Sequence, residues 1–254
     1  MALKRIIPCL LLRDNGLVKT IKFKNPTYIG DPINAVKIFN EKEVDELVFL
    51  DIDATKNEKE PPYELIRDIA TECFMPFCYG GGITNVEQIR RLIASGAEKV
   101  AINSAAYHNP QLIKEAASIF GSSTIVGSID YKKNVFGKYT VYINGGKKNI
   151  KKHPVVYAKE LEKLGAGEIF LNSIEKDGCM QGYDIVMIKE VVDAVSIPVI
   201  ASGGAGKISH FKEAFQEGKA SALAAGSLFV FQGRKKGVLI SYPSPKDIRS
   251  IINE

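Results

Sequence analysis

The sequence predicts an α/β protein, one barrel of eight parallel strands alternating with helices, covering residues 1–254. Three observations carry that prediction. Short β-rich apolar runs alternate with amphipathic helical periods eight times along the chain. No long linker interrupts them. The second half also repeats the first. FMPFCYGGGITNVEQIRRLIASGAEKVAINSAA resembles SIPVIASGGAGKISHFKEAFQEGKASALAAGS, and DELVFLDIDA resembles AGEIFLNSIEKDG, at an offset of about 120 residues. A two-fold repeat of four βα units makes eight, which closes a (β/α)8, or TIM, barrel instead of leaving an open doubly wound sheet.

The first strand, 5–12, is the apolar run Ile6-Ile7-Pro8-Cys9-Leu10-Leu11-Leu12, which stops at a charged Arg-Asp-Asn-Gly turn. The other strands are expected at 47–52, 76–79, 99–103, 124–130, 168–172, 197–202 and 221–226. Asp31-Pro32 and Asn109-Pro110 each put a capping side chain before a proline at the first helical position. Thr84 and Glu87 have capping-box spacing. In VEQIRRLIASG, Val86, Ile89, Leu92 and Ile93 line one helical face. Gly96 and Gly165 close helices just before the next strand. The tail RKKGVLISYPSPKDIRSIINE ends in a short helix.

With 254 residues, 45% of them hydrophobic, a large core is possible. No stretch approaches the ~18–20 apolar residues of a membrane span. The first strand begins too early for a secretory signal, so a cytoplasmic location is expected. Cys9, Cys73, Cys78 and Cys179 form no CxxC pair, and His108, His153 and His210 are the only histidines, so neither a metal nor another cofactor is expected. A net charge of +5 fits an anionic substrate or an ordinary surface bias. A nucleic-acid partner is not expected.

In such a barrel the active site lies at the C-terminal strand ends. The residues there are Leu11, Asp51, Gly80-Gly81-Gly82, Asn103, Asp130, Asn172, Ser202-Gly203-Gly204 and Gly226-Ser227. Gly81 and Gly82, with Asn103 and Ser104, form one candidate phosphate site. Gly203 and Gly204, with Gly226 and Ser227, form a second half a barrel away. Glycine lets backbone N–H groups approach an anion, and two such sites suit a substrate with a phosphate at each end. Tight βα turns would use the same glycines. Asp130 is a strand-end carboxylate fit for general acid–base work, or else a loop cap or a partner of Lys132 or Lys133. Asp177-Gly178 reads as a turn that orients a ligand hydroxyl or Lys19, and Lys19 lies in a basic loop, GLVKTIKFKNP, long enough for a lid. Cys179 is expected to be a spectator. At the opposite end Arg5, Glu46, Lys99 and Glu168 stand at strand starts, two of each sign, and on their own suit a structural plug.

Taken together, KRIIPC, GDP at 30–32, DELVFLDI, GGGI, GAEKVAINS, LGAGEI, DG–GYD and IPVIASGGAGK resemble the cyclase subunit of imidazole glycerol phosphate synthase across almost the whole chain. The resemblance implies a glutaminase partner on the N-terminal face. Arg5, Glu46, Lys99 and Glu168 would then be an ammonia gate and the glycine turns two phosphate sites. It also implies a catalytic pair of aspartates at the ends of strands one and five. Asp130 matches the second; the first falls on Leu11. Asn172 and Cys179 stand where the family usually has threonines, and Tyr28-Ile29 where it usually has Arg-Asp. His153 and Pro154 fall in a further divergent segment. This combination resembles a paralogous group associated with acetamidino modification of bacterial surface-polysaccharide sugars, alongside a glutaminase and a separate amidotransferase. The alternatives are a working histidine-pathway cyclase and a non-catalytic activator of the glutaminase.

Overall fold

A computed structural model describes residues 4–233 and 237–252. Eight parallel strands form the barrel: β1 (Arg5–Arg13), β2 (Leu47–Asp51), β3 (Phe77–Gly80), β4 (Lys99–Ile102), β5 (Ile125–Lys133), β6 (Glu168–Ser173), β7 (Val199–Ser202) and β8 (Ala222–Ala225). Each pairs with the next, and β8 returns to β1 with Arg5 opposite Ala222 and Pro8 opposite Ala225. The sheet therefore closes, as the repeat and the alternation predict. The helices are α1 (Pro32–Glu41), α2 (Tyr63–Glu72), α3 (Val86–Ala94), α4 (Gln111–Phe120), α5 (Pro154–Leu164), α6 (Ile185–Val192), α7 (Ile208–Gln216) and α8 (Pro245–Ile252). Short helices Ser104–His108 and Ser227–Val230 follow β4 and β8.

Alternation along each strand sends side chains to two cores. One face, including Leu10, Phe49, Tyr79, Ile129 and Leu171, packs under the helices. The other fills the barrel with Ile7, Cys9, Leu11, Val48, Cys78, Val126, Phe170, Ile200 and Ala224. Helix starts follow local chemistry. The Asp31 carboxylate accepts from the Asn34 amide at 2.9 Å, with Pro32 at the first helical position. Gly165 ends α5 in the left-handed conformation at φ +106°.

Two expected caps differ. The cap of α3 is Asn85, whose side chain accepts from the Gln88 amide at 2.9 Å, while Gln88 Oε1 reaches back to Thr84 N at 2.7 Å. The box is one residue later than Thr84 and Glu87. Asn109 caps nothing with its side chain, because α4 begins after Pro110 and the Asn109 amide instead closes the preceding short helix onto Ala105.

The expected basic lid loop is a β-hairpin. Strand Gly16–Ile21 folds back on β1 through Asp14-Asn15, both at positive φ, and strand Lys24–Gly30 pairs with it. Two left-handed central residues make the tight turn that suits strand twist. A second hairpin grows from β5, which runs past Asp130 to Lys133 and returns as strand Tyr139–Ile143.

Candidate functional site at the barrel mouth

Asp130 sits at the mouth, held by two amides from neighbouring strands. Asn172 Nδ2 donates to Oδ1 at 3.1 Å and Asn103 Nδ2 to Oδ2 at 3.2 Å. Neither Lys132 nor Lys133 pairs with it. Lys132 donates to the Gly146 carbonyl and lies over the Tyr142 ring, and Lys133 lies over Tyr139. Burial pushes the Asp130 carboxyl up to about 7; the Asn172 amide opposes that rise and the Asp177 charge adds to it. A carboxyl in that range exchanges protons near neutrality. Leu11 also faces the barrel interior, and is 8% exposed.

The first hairpin lies across this mouth. Its second turn, Lys22-Phe23, has both residues at positive φ, which is costly for a phenylalanine. Asp177 pins it: its carboxylate accepts from Thr20 Oγ1 at 2.8 Å and Phe23 N at 3.3 Å, and its carbonyl accepts from Lys22 N at 2.9 Å. Asp177 thus orients the lid and not Lys19, the alternative that its turn suggested. Gly178 brings this loop against the Thr20 carbonyl. Lys19 is buried, 5% exposed, with no carboxylate within 4.0 Å among the described residues. Its ammonium lies over Gly226, where an added Cβ would stand 2.2 Å from Nζ and 2.8 Å from the Cys9 carbonyl. Gly226 is therefore required for the lysine to reach the β8 end.

The glycine pairs occupy matching turns, with Gly81, Gly82, Gly203 and Gly204 all at positive φ. At Gly204 a Cβ would meet the Gly182 carbonyl at 2.1 Å. Ser202 ends β7 beside Asn172, and buried Ser227 opens the short helix after β8. Ser104 Oγ is already engaged, donating to Asn103 Oδ1 and accepting from Asn144 N at 3.0 Å. Asp51 Oδ1 accepts from Asp53 N at 3.1 Å and Ala54 N at 3.0 Å, which holds the turn after β2. Cys179 donates weakly to the Glu175 carbonyl.

At the opposite end four charges close into a ring. Arg5 binds Glu46 and Glu168, and Lys99 binds the same two carboxylates at 3.0 Å each. Both glutamates are buried, at 2% and 4% exposure. Burial works against the charge on Lys99, but Glu168 and Glu46 outweigh it and raise its pKa. Between ring and mouth the interior is lined mostly by aliphatic side chains, with Phe170, the thiols of Cys9 and Cys78 and the hydroxyl of buried Ser128, which lies beside Phe170 in the sheet. Burial pushes Cys9 up to about 12, so it stays a neutral thiol.

A closed parallel barrel with Asp130, its amide partners and the paired glycine turns at the C-terminal mouth defines a (β/α)8 protein whose site is made by βα turns. Relatives narrow the class. Residues 5–234 match the family model described as "Histidine biosynthesis protein". A Pseudomonas aeruginosa protein, provisionally named imidazole glycerol phosphate synthase subunit hisF2, is 53% identical over 243 residues, 96% of this chain and 97% of that one. A Leptospira borgpetersenii protein with a similar provisional name is 51% identical over 244 residues, 96% of each chain. The imidazole glycerol phosphate synthase subunit HisF of Streptococcus sanguinis is 45% identical over 229 residues, 90% of this chain and 91% of that one. The chain belongs to the HisF family. No helix among the described residues is long and apolar enough to cross a membrane.

Proposed function

We propose that this barrel is the synthase-type subunit of a glutamine amidotransferase and delivers ammonia instead of closing an imidazole ring. A glutaminase subunit docks at the Arg5–Glu46–Lys99–Glu168 face. Ammonia passes the ring when Lys99, bound at only one atom, swings from its two carboxylates. The apolar interior then favours neutral ammonia, because ammonium would have to shed its water there. It leaves at the mouth for a separate amidotransferase that builds an acetamidino group on a surface-polysaccharide sugar. Asp130, near neutral in pKa, takes a proton from any ammonium that forms at the mouth and hands it to solvent, so that the nitrogen leaves as neutral ammonia.

The observation that carries this reading is the surroundings of Asp130. Its partners are two amides, Leu11 faces the same interior, and the other mouth carboxylates, Asp177 and Asp51, hold the lid and the turn after β2. Ring closure needs proton transfers divided between an acid and a base, and losing one partner commonly costs ~10²–10⁴ in rate. The glycine turns and Lys19 favour a second reading, a cyclase that still binds a substrate phosphorylated at both ends. The test supplies the ribulosyl-aminoimidazole substrate and ammonium salt at alkaline pH to the wild type and to Leu11→Asp. Turnover by the wild type establishes the cyclase. Absence of turnover by the wild type, with or without partial recovery in Leu11→Asp, supports the delivery role. If Lys99→Glu kept full glutaminase stimulation and also full ammonia transfer, the ring would have no gating task.

A further inference from the structure

The hairpin that grows from β5 has a composition unlike the rest of the chain. Residues 131–152 hold seven lysines and no aspartate or glutamate. Of these, only Lys152 is ion-paired, with Glu160, among the described residues. At the tip Val135 and Phe136 are 94% and 83% exposed, and the turn is ordered beneath them by Asn134, whose side chain accepts from Phe136 N and Lys138 N. Beside the tip lies an open cavity of about 520 Å³, bordered by Lys138, Tyr139, Thr140, Asn149, Lys151 and His153, with no carboxylate in its wall. Two adjacent apolar side chains held out in water by an ordered turn, within a cationic strip, are a costly surface for a protein that works alone.

Position indicates what covers it. The tip lies five residues beyond Asp130 along β5, roughly 16 Å at strand rise, on the side where ammonia leaves the barrel. Ammonia released into water there would be protonated and diluted, so a consumer of it has to sit on this rim. We infer that the 131–152 hairpin is the docking element for the ammonia-consuming amidotransferase, which meets it with an acidic surface surrounding an apolar pocket for Val135 and Phe136. This inference rests on the delivery role proposed above. Position at the exit favours a protein. Nucleic acid would neutralise its phosphates on the lysines and stack a base on Phe136, but it consumes no ammonia. A second copy of this chain would bring a like-charged hairpin to the same rim.

The experiment uses the glutaminase, this protein and the amidotransferase, reconstituted with the sugar acceptor and glutamine carrying ¹⁵N in its amide. Hydrogen exchange of the unaltered protein is followed with and without the amidotransferase. Protection of residues 132–140 on adding it is expected; their unchanged exchange overturns the inference, whatever happens to ammonia. Phe136→Ser combined with Lys138→Glu and Lys151→Glu is expected to lower ¹⁵N transfer about tenfold or more, as loss of an anchor residue and its charged rim does. Glutaminase stimulation, and product formed from saturating ammonium, should be unchanged. Wild-type transfer by the triple variant refutes the docking role. Light scattering that finds a dimer of the unaltered chain, lost in the triple variant, assigns the hairpin to self-association and also refutes it. Failure of the unaltered protein to pass ¹⁵N, despite a protected hairpin, removes the delivery role and leaves the docking surface standing.

Discussion

Replacing Asp130 by asparagine should make the protein more stable at alkaline pH and leave it little changed in acid. The folded chain holds this carboxyl at about 7 against an ordinary value of 3.8. Between those values the folded state keeps a proton that the unfolded state has released, so stability falls as pH rises through the window. At about 1.4 kcal/mol per pH unit, the folded state gives up roughly 4 kcal/mol by pH 8, more than half of it between pH 5 and pH 8. Asparagine carries no charge, but its Nδ2 faces one of the two amides that now donate to Asp130. That mismatch costs about 1–2 kcal/mol. Urea midpoints at pH 8 should therefore favour Asp130→Asn by about 2–3 kcal/mol, and midpoints at pH 5 should nearly coincide. Ammonia transfer should be lost with the proton site. If the two proteins differ by the same amount at both pH values, Asp130 is an ordinary solvated carboxylate and its role as a neutral-range proton carrier fails.

Lys99→Met leaves two buried glutamates to Arg5 alone and should destabilise the protein by about 3 kcal/mol, read as a urea midpoint at pH 7. Gly226→Ala puts a methyl group on the Lys19 ammonium, so Lys19 should become several-fold more reactive to acetylation, measured by mass spectrometry, with the fold retained. Asp31→Ala removes the side-chain cap of α1 and should cost about 1 kcal/mol with no change in ammonia transfer.

Much of the barrel can be read from the chain, because strands buried on both faces are written as continuous apolar runs bounded by glycine and proline. Even the ring was visible: Arg5, Glu46, Lys99 and Glu168 are charges at strand starts, where the alternation points them inward. Other features depended on neighbours remote in sequence. Asn172 reaches Asp130 from 42 positions away, across β5 and β6, and no local pattern marks that pair. The lid read as a loop because Lys19, Lys22 and Lys24 run through both strands and the turn between them, although Asp14-Asn15 carried a usable hairpin signal. Thr84/Glu87 and Asn85/Gln88 have the same spacing, and only the position of the first helical residue, Val86, decides between them. The 131–152 lysines could have been noticed by counting charge along the chain in place of over it.

The two hairpins have a mechanical meaning. Each is the prolongation of a barrel stave, joined to it by an unbroken ladder instead of a slack connector. One stave bears Leu11 at its root and the other bears Asp130. A load on either hairpin, whether a docked protein or a departing ligand, is therefore a lever arm acting on the residue beneath it. The wall of the vessel and its shutters are one continuous spring.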